Sequence, residues 1–294
     1  GNGSYQAVSG DTLLNPWDGF WGATLTGSIN RKPQLVIQDN TPQLLFSSGF
    51  EGGVKLGPFD GYYQYILGTD SETGYSWPID ILGSSGSGLH LIDHDNGAAL
   101  ENEIQTVTGH DGSPTKALYN IQHYGDGVTQ SPYEILDMTE GTKDLYIRYW
   151  IKMDSASLNV PNMWRTFFEY KTKDYAKRTG FRLIAFIYTG DDGVPFWVWQ
   201  GDKHHSEPIW EFENKSVPVP LNEWFLTEFY WHWSDGDDGR ALWKVNGQVI
   251  KDHYGPTTQN SKPVDFIMMT QIYGNANPKH QWIDDIEIWD GIPE

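Results

Sequence analysis

No stretch longer than about ten residues in this chain keeps a 3.6-residue apolar period, whereas period-2 alternation recurs from Leu44 onward. Turns rich in Gly, Asn, Asp, Ser and Pro cut the alternating runs short, as in G-D-G (125–127), G-D-D-G (190–193), S-D-G-D-D-G (234–239) and V-N-G-Q (245–248). Pro and Gly recur too often for long helices. Such a pattern leaves an all-β fold, most economically two antiparallel sheets packed as a β-sandwich. Residues 1–43 read differently, as turn and loop, with N-P-W-D-G (15–19) and N-R-K-P (30–33). They are expected to form an N-terminal extension packed on, or leading into, a main domain over 44–294.

Charge narrows the partners. The 294 residues carry 39 Asp+Glu against 20 Lys+Arg, a formal net charge of -19. That balance argues against nucleic acid and anionic membrane surfaces. No apolar run approaches the roughly 18–20 residues of a membrane span. The start, G-N-G-S-Y, lacks the basic and apolar regions of a signal peptide, as a processed chain also would. The absence of cysteine excludes disulfides, thiolate metal sites and cysteine nucleophiles. Aromatic residues are abundant, with 14 Trp, 16 Tyr and 13 Phe. Their faces stack on the C–H faces of sugars, and large β cores consume them too.

Alternation sorts side chains by face. In L-Y-I-R-Y-W-I-K-M (145–153), Leu145, Ile147, Tyr149, Ile151 and Met153 share one side, and Tyr146, Arg148, Trp150 and Lys152 the other. The second set suits the floor of a concave ligand groove. Glu101, Glu103 and Gln105, then Phe167, Glu169 and Lys171, then Glu228, Tyr230 and His232 form similar mixed faces. Tyr146, Trp150, Tyr188, Trp197 and Trp199 could supply a stacking platform. Arg165, Lys171, Lys173, Lys177, Arg178 and Arg182 crowd into a span opposed only by Glu169 and Asp174, a basic hairpin suited to an anionic polysaccharide. D-H-D-N-G (93–97) is not an EF-hand, because the twelfth position is Ile104 rather than a bidentate Glu. The paired histidines at 204–205 have no third ligand at a suitable spacing.

Three stretches together carry a resemblance. L-L-F-S-S-G-F-E-G-G (44–53) resembles the opening strand of concanavalin A-like jelly rolls. L-Y-I-R-Y-W-I-K-M through W-R-T-F-F-E-Y-K resembles the paired inner strands of jelly-roll polysaccharide lyases. W-F-L-T-E-F-Y-W-H-W-S-D-G-D-D-G-R-A-L-W-K-V-N-G-Q (224–248), closing on W-I-D-D-I-E-I-W, is similar to the same superfamily's back sheet. The nearest groups are the heparin lyase I-like and glucuronan lyase-like families, with related cellulose-induced secreted proteins. The resemblance spans residues 44–292. It implies a two-sheet jelly roll, a polysaccharide partner, a monomer and an extracellular setting.

The resemblance also implies a structural Ca²⁺ between the first and last strands, held by an early Glu and a late Asp. The matching positions are Glu51 and Asp285, with Asp284 as the alternate. A hard cation taking about 6–8 oxygen ligands would draw backbone carbonyls from the bend at Gly49, Gly52 and Gly53.

For activity, the resemblance implies cleavage of a uronate-containing polysaccharide by β-elimination. That chemistry needs a base for the proton α to the carboxyl, a cation or amide to hold the developing charge, and an acid for the leaving oxygen. Y-N-I-Q-H-Y-G (119–125) offers Gln122 and His123, adjacent and therefore on opposite faces. The family's Q-x-H positions are Glu169 and Lys171 here, which moves the base to His123, Tyr146 or His232, beside Arg148. A non-catalytic carbohydrate-binding module remains open, as does a retaining hydrolase built on Glu101 with Glu103, or on Glu169 with Glu228.

Overall fold

The computed structural model describes residues 41–58, 64–81, 100–123, 136–137, 143–172, 180–203, 208–259, 264–268, 272–275 and 278–293, with the backbone of 8–9 and 12–13. The chain divides into two compact units, Gly1–Thr41 and Pro42–Glu294. In the first, β1 (Val8–Ser9) and β2 (Thr12–Leu13) pair antiparallel. How residues 1–40 meet the main domain lies outside the described residues, as do Lys173, Lys177, Arg178 and the histidine pair at 204–205.

The second unit is built almost wholly of strands. They begin with β3 (Leu44–Ser48), β4 (Lys55–Leu56), β5 (Ile66–Thr69), β6 (Ser76–Trp77), β7 (Leu100–Thr108) and β8 (Pro114–Gln122). Then come β9 (Leu136–Asp137), β10 (Asp144–Met153) and a one-turn helix, α1 (Ser155–Leu158). After it run β11 (Trp164–Thr172), β12 (Arg182–Thr189), β13 (Pro195–Asp202) and β14 (Trp210–Asn214). β15 (Trp224–His232), β16 (Arg240–Val245), β17 (Gln248–Tyr254), β18 (Val264–Met268), β19 (Tyr273–Gly274) and β20 (Lys279–Trp289) complete the order.

Two antiparallel sheets form the sandwich. The eight-stranded sheet runs β17-β16-β15-β10-β20-β8-β7, with β3 also on β20, and the seven-stranded sheet runs β14-β13-β12-β11-β18-β9, with β19 on β11. β4, β5 and β6 make a small third sheet. The alternation of β10 is borne out: Leu145, Ile147, Tyr149, Ile151 and Met153 are fully buried between the sheets. Aromatic side chains from opposite sheets meet there. Phe168 stacks on Phe229 at 3.9 Å, Tyr170 on Trp231 at 4.5 Å, and Trp197 meets Trp243 edge-on at 5.3 Å.

Two expectations are corrected by this arrangement. β10 and β11 are not paired inner strands of one sheet. The Asp154 carboxylate accepts from the Ser157 backbone N–H and caps α1, and across that turn the chain passes from one sheet to the other. Trp197 and Trp199 offer no stacking platform, because both lie fully buried in the core.

A candidate functional site on the seven-stranded sheet

On the outward side of the seven-stranded sheet, register sets Lys171 beside Arg182 and Arg182 beside Asp202, with Glu169, Ile184 and Gln200 in the next row. Charged side chains on an outward face normally reach water. Here Glu169 is 2 % exposed, Asp202 0 % and Arg182 9 %. They are recessed, and they satisfy one another. Arg182 Nε donates to Asp202 Oδ2 at 3.0 Å, and its guanidinium reaches Glu169 Oε2 at 3.5 Å. Gln200 Nε2 donates to Asp202 Oδ2 at 2.7 Å, and the Lys171 ammonium pairs with Glu169. Lys171 is the more exposed of the two cations. The strand P-F-W-V-W-Q-G-D carried the signal for Gln200 and Asp202, since alternation puts Trp197 and Trp199 inside and those two polar groups outside.

The remaining predicted groove residues divide away from this cluster. Tyr146, Arg148, Trp150 and Lys152 do share a face with Glu228, Tyr230 and His232, but it is the outward face of the eight-stranded sheet. Arg148 is held by Glu287 through two hydrogen bonds, at 3.0 and 2.7 Å. The Tyr146 hydroxyl donates to Glu228 at 2.6 Å, and burial, then that carboxylate, pushes the phenol well above its ordinary range. Asp144 accepts from the Tyr230 hydroxyl at 2.6 Å and lies 2.9 Å from His232 Nδ1. His110 stacks on Trp150 at 4.0 Å and covers one side of its ring.

His123 is not beside Arg148. It lies 2.9 Å from Glu101, past the end of β8. Gln122 pairs with Lys279 and Arg148 with Glu287, so the two are separated by eight residues of β20, about 25 Å at strand spacing. Gln122 faces the interior, fully buried, with neither amide atom hydrogen-bonded. Glu169 and Glu228 lie on the outward faces of different sheets and cannot flank one bond. Arg165, counted with the basic hairpin, points into the core, where burial lowers its pKa to about 10 despite Asp154 at 3.6 Å.

At the junction of β3 and β20 three carboxylates converge. β20 carries one extra residue opposite β10, between the pairs Arg148–Glu287 and Trp150–Asp284. That bulge turns Asp284 and Asp285 to the same outward side. Asp284 is the buried one, 1 % exposed, whereas Asp285 is exposed and reaches His110 at 3.1 Å. Glu51 accepts from the Lys116 backbone N–H at 2.6 Å and from the Thr115 hydroxyl at 3.1 Å. A Cβ on Gly49 would stand 2.9 Å from an Asp285 oxygen and 3.5 Å from one of Asp284, so the backbone at Gly49 lies close against both carboxylates. Burial first, then Asp285 and Glu51, push Asp284 up to about 8. Among the described residues no group of three or more His, Asp or Glu side chains is arranged to hold a metal ion. The donors fit a hard cation by chemistry, and backbone carbonyls would have to complete the shell.

A hollow of about 420 Å³ at the far end of β12 and β13 is lined by Asp191, Asp192, Val194, Phe196 and Lys215. It lacks the convergent polar groups of the recessed cluster.

With this geometry in place, the solved structures it resembles are informative about fold. The chain is similar to a variant of the alginate lyase Aly36B in complex with an alginate tetrasaccharide, at TM-score 0.50 and 15 % identity over 67 % of this chain and 85 % of that one. It is also similar to an endo-β-1,4-glucuronan lyase from the fungus Trichoderma reesei, at TM-score 0.46 and 12 % identity over 68 % and 89 %. A third similar structure is the binding domain of botulinum neurotoxin DC with rat synaptotagmin II, at TM-score 0.45 and 13 % identity over 78 % and 48 %. No protein-family model matches the chain, and no curated protein matches it in sequence. At these identities the likeness is one of fold. The chain shares with the alginate lyase structure an antiparallel β-sandwich of jelly-roll type. No helix among the described residues is long and apolar enough to cross a membrane.

Proposed function

We propose that this chain is a polysaccharide lyase acting on an anionic, uronate-containing polysaccharide, with the recessed cluster of the seven-stranded sheet as its centre. The observation that carries this reading is the burial of Glu169, Arg182 and Asp202 on a face that would ordinarily be wet. Recessing charge is costly unless the groups are paired, and such pairs gather where a cleft is organised around a ligand. Lys171 and Arg182 are the cations that would bind the uronate carboxylate and hold the charge that develops when its α-proton leaves. Of the two, only Lys171 could serve instead in proton transfer, because arginine stays charged. An extracellular monomer goes with this reading.

The test is incubation with alginate, polyglucuronate, heparin and ulvan while the ultraviolet absorbance of unsaturated uronate ends is followed. Turnover by the parent, lost in Lys171→Ala and Lys171→Arg, fits a proton-transfer role. Turnover kept in Lys171→Arg but lost in Lys171→Ala fits charge neutralisation. New reducing ends without that absorbance would point to hydrolysis and overturn the lyase reading. One observation favours a second reading: the described histidines, at 110, 123, 232, 253 and 280, all belong to the eight-stranded sheet or the turns at its ends. Binding without any turnover would make the chain a carbohydrate-binding module.

We also propose a structural Ca²⁺ held by Glu51, Asp284 and Asp285. What supports it is a buried Asp284 flanked by two further carboxylates, a charge balance that a divalent cation relieves.

A further inference from the structure

The outward face of the eight-stranded sheet carries a second aromatic assembly, remote from the recessed cluster. Tyr119 on β8 and Trp282 on β20 are direct cross-strand partners, with ring centroids 5.1 Å apart. His280 completes the group, 5.9 Å from Tyr119 and 6.3 Å from Trp282, its ring tilted only 14° from the indole. All three are half-buried.

Their polar edges are already occupied. Trp282 Nε1 donates to Gln105 Oε1 at 2.9 Å, and Gln105 Nε2 donates in turn to Glu103 Oε2 at 2.9 Å. The Tyr119 hydroxyl lies 2.7 Å from His280 Nδ1. The rings are therefore fixed in orientation before anything binds, and what remains available is apolar ring surface. A cross-strand aromatic pair stabilises a sheet wherever it lies. Pinning three rings by their edges on the outward side does something more, because it presents an ordered platform to solvent.

We propose that this platform is a second carbohydrate-binding surface, and that its occupant is an uncharged polysaccharide. A sugar ring matches it on both counts: an apolar C–H face for Trp282 and Tyr119, and hydroxyls that donate to carboxylates at the rim. The rim is acidic. Glu101 and Glu103 are exposed on β7, and both add to the burial that raises the Tyr119 phenol. Lys152 sits 5.5 Å from the Trp282 ring centroid. Burial, with Arg165 and His123 nearby, lowers the His280 pKa, so the third ring is neutral at neutral pH. A polyuronate or a nucleic acid would meet two rim carboxylates against one ammonium. An uncharged glycan meets hydrogen-bond acceptors.

This surface and the recessed cluster lie on opposite sheets, so the proposal stands apart from the lyase reading. It is tested by retardation in native gels containing hydroxyethylcellulose, mixed-linkage β-glucan or galactomannan, with alginate and polyglucuronate in parallel. The parent is expected to be retarded by at least one uncharged polymer. Trp282→Ala and Tyr119→Ala should bind it roughly tenfold more weakly, as the loss of one stacked ring implies, while Trp282→Phe keeps most of the affinity. Melting curves matched to the parent certify that each variant is folded. Equal retardation of parent and both alanine variants, no retardation by any uncharged polymer, or retardation by the polyuronates alone would each overturn the proposal.

Discussion

Glu51 and Asp284 share one hydroxyl: Thr115 Oγ1 stands 3.1 Å from a carboxylate oxygen of each and has a single proton to donate. The second carboxylate of the pair must find its balance elsewhere, and Asp285 adds a third negative group beside them. Without a cation, that balance is a proton on Asp284, whose pKa rises from 3.8 to about 8.

This fixes a pH dependence for the calcium-free protein. A carboxyl with a raised folded pKa keeps its full contribution below the unfolded value and loses it as pH rises through the folded one. Melting temperature in EDTA should therefore fall between about pH 4 and pH 8. Asp284→Asn should flatten the slope, and excess Ca²⁺ should raise the melting temperature of the parent but not of Asp284→Asn. Melting curves across pH, with and without Ca²⁺, check both; identical parent curves in the two buffers would remove the metal.

Asp70 should act in the opposite sense. Fully buried, it accepts from the Ser48 hydroxyl and from the backbone N–H groups of Gly49, Glu51, Glu72 and Thr73. Burial alone would raise its pKa, but these donors outweigh burial and lower it. A lowered carboxyl contributes stability above its unfolded value and loses it as pH falls through the folded one. Asp70→Ala should cost about 3 kcal/mol at neutral pH and progressively less in acid, by urea denaturation. A cost that grew on acidification would contradict the assignment.

The Arg182–Asp202 pair is recessed at both ends, so breaking it from one side strands charge. Asp202→Leu alone should destabilise by about 3–5 kcal/mol, whereas the double change Arg182→Met with Asp202→Leu should come closer to the parent. A four-state cycle of urea midpoints measures the coupling. Additive single effects would mean the pair is not a unit.

Trp197→Ala removes a fully buried indole packed against Phe167, Phe225 and Trp243 and should cost about 3–5 kcal/mol. It should leave the affinity for polysaccharide unchanged under conditions where the variant stays folded. Titration of both proteins with the same polymer decides whether this tryptophan touches sugar.

The strand character of 145–153 was legible because one set of its alternating side chains is aliphatic or aromatic throughout. Which sheet a strand joins was not. F-F-E-Y-K alternates like its neighbours, and only the α1 turn tells that β11 has crossed the sandwich. A tryptophan at every second position reads equally as platform or core, which is why Trp197 and Trp199 misled. Arg182 and Asp202 are 20 residues apart, and no local pattern announces that a hairpin makes them neighbours. The convergence of Glu51 with the two aspartates came from family resemblance. The bulge that buries Asp284 rather than Asp285 comes from the register of β20 on β10, which sequence alone does not give.

β20 pairs with β10, β8 and β3 together, and so joins strands that all precede it by more than a hundred residues. During synthesis that sheet stays split until the residues around 279–289 have left the ribosome. Its earlier strands must wait as open edges, and the nascent chain meets the cell's chaperones before it meets its own closing strand.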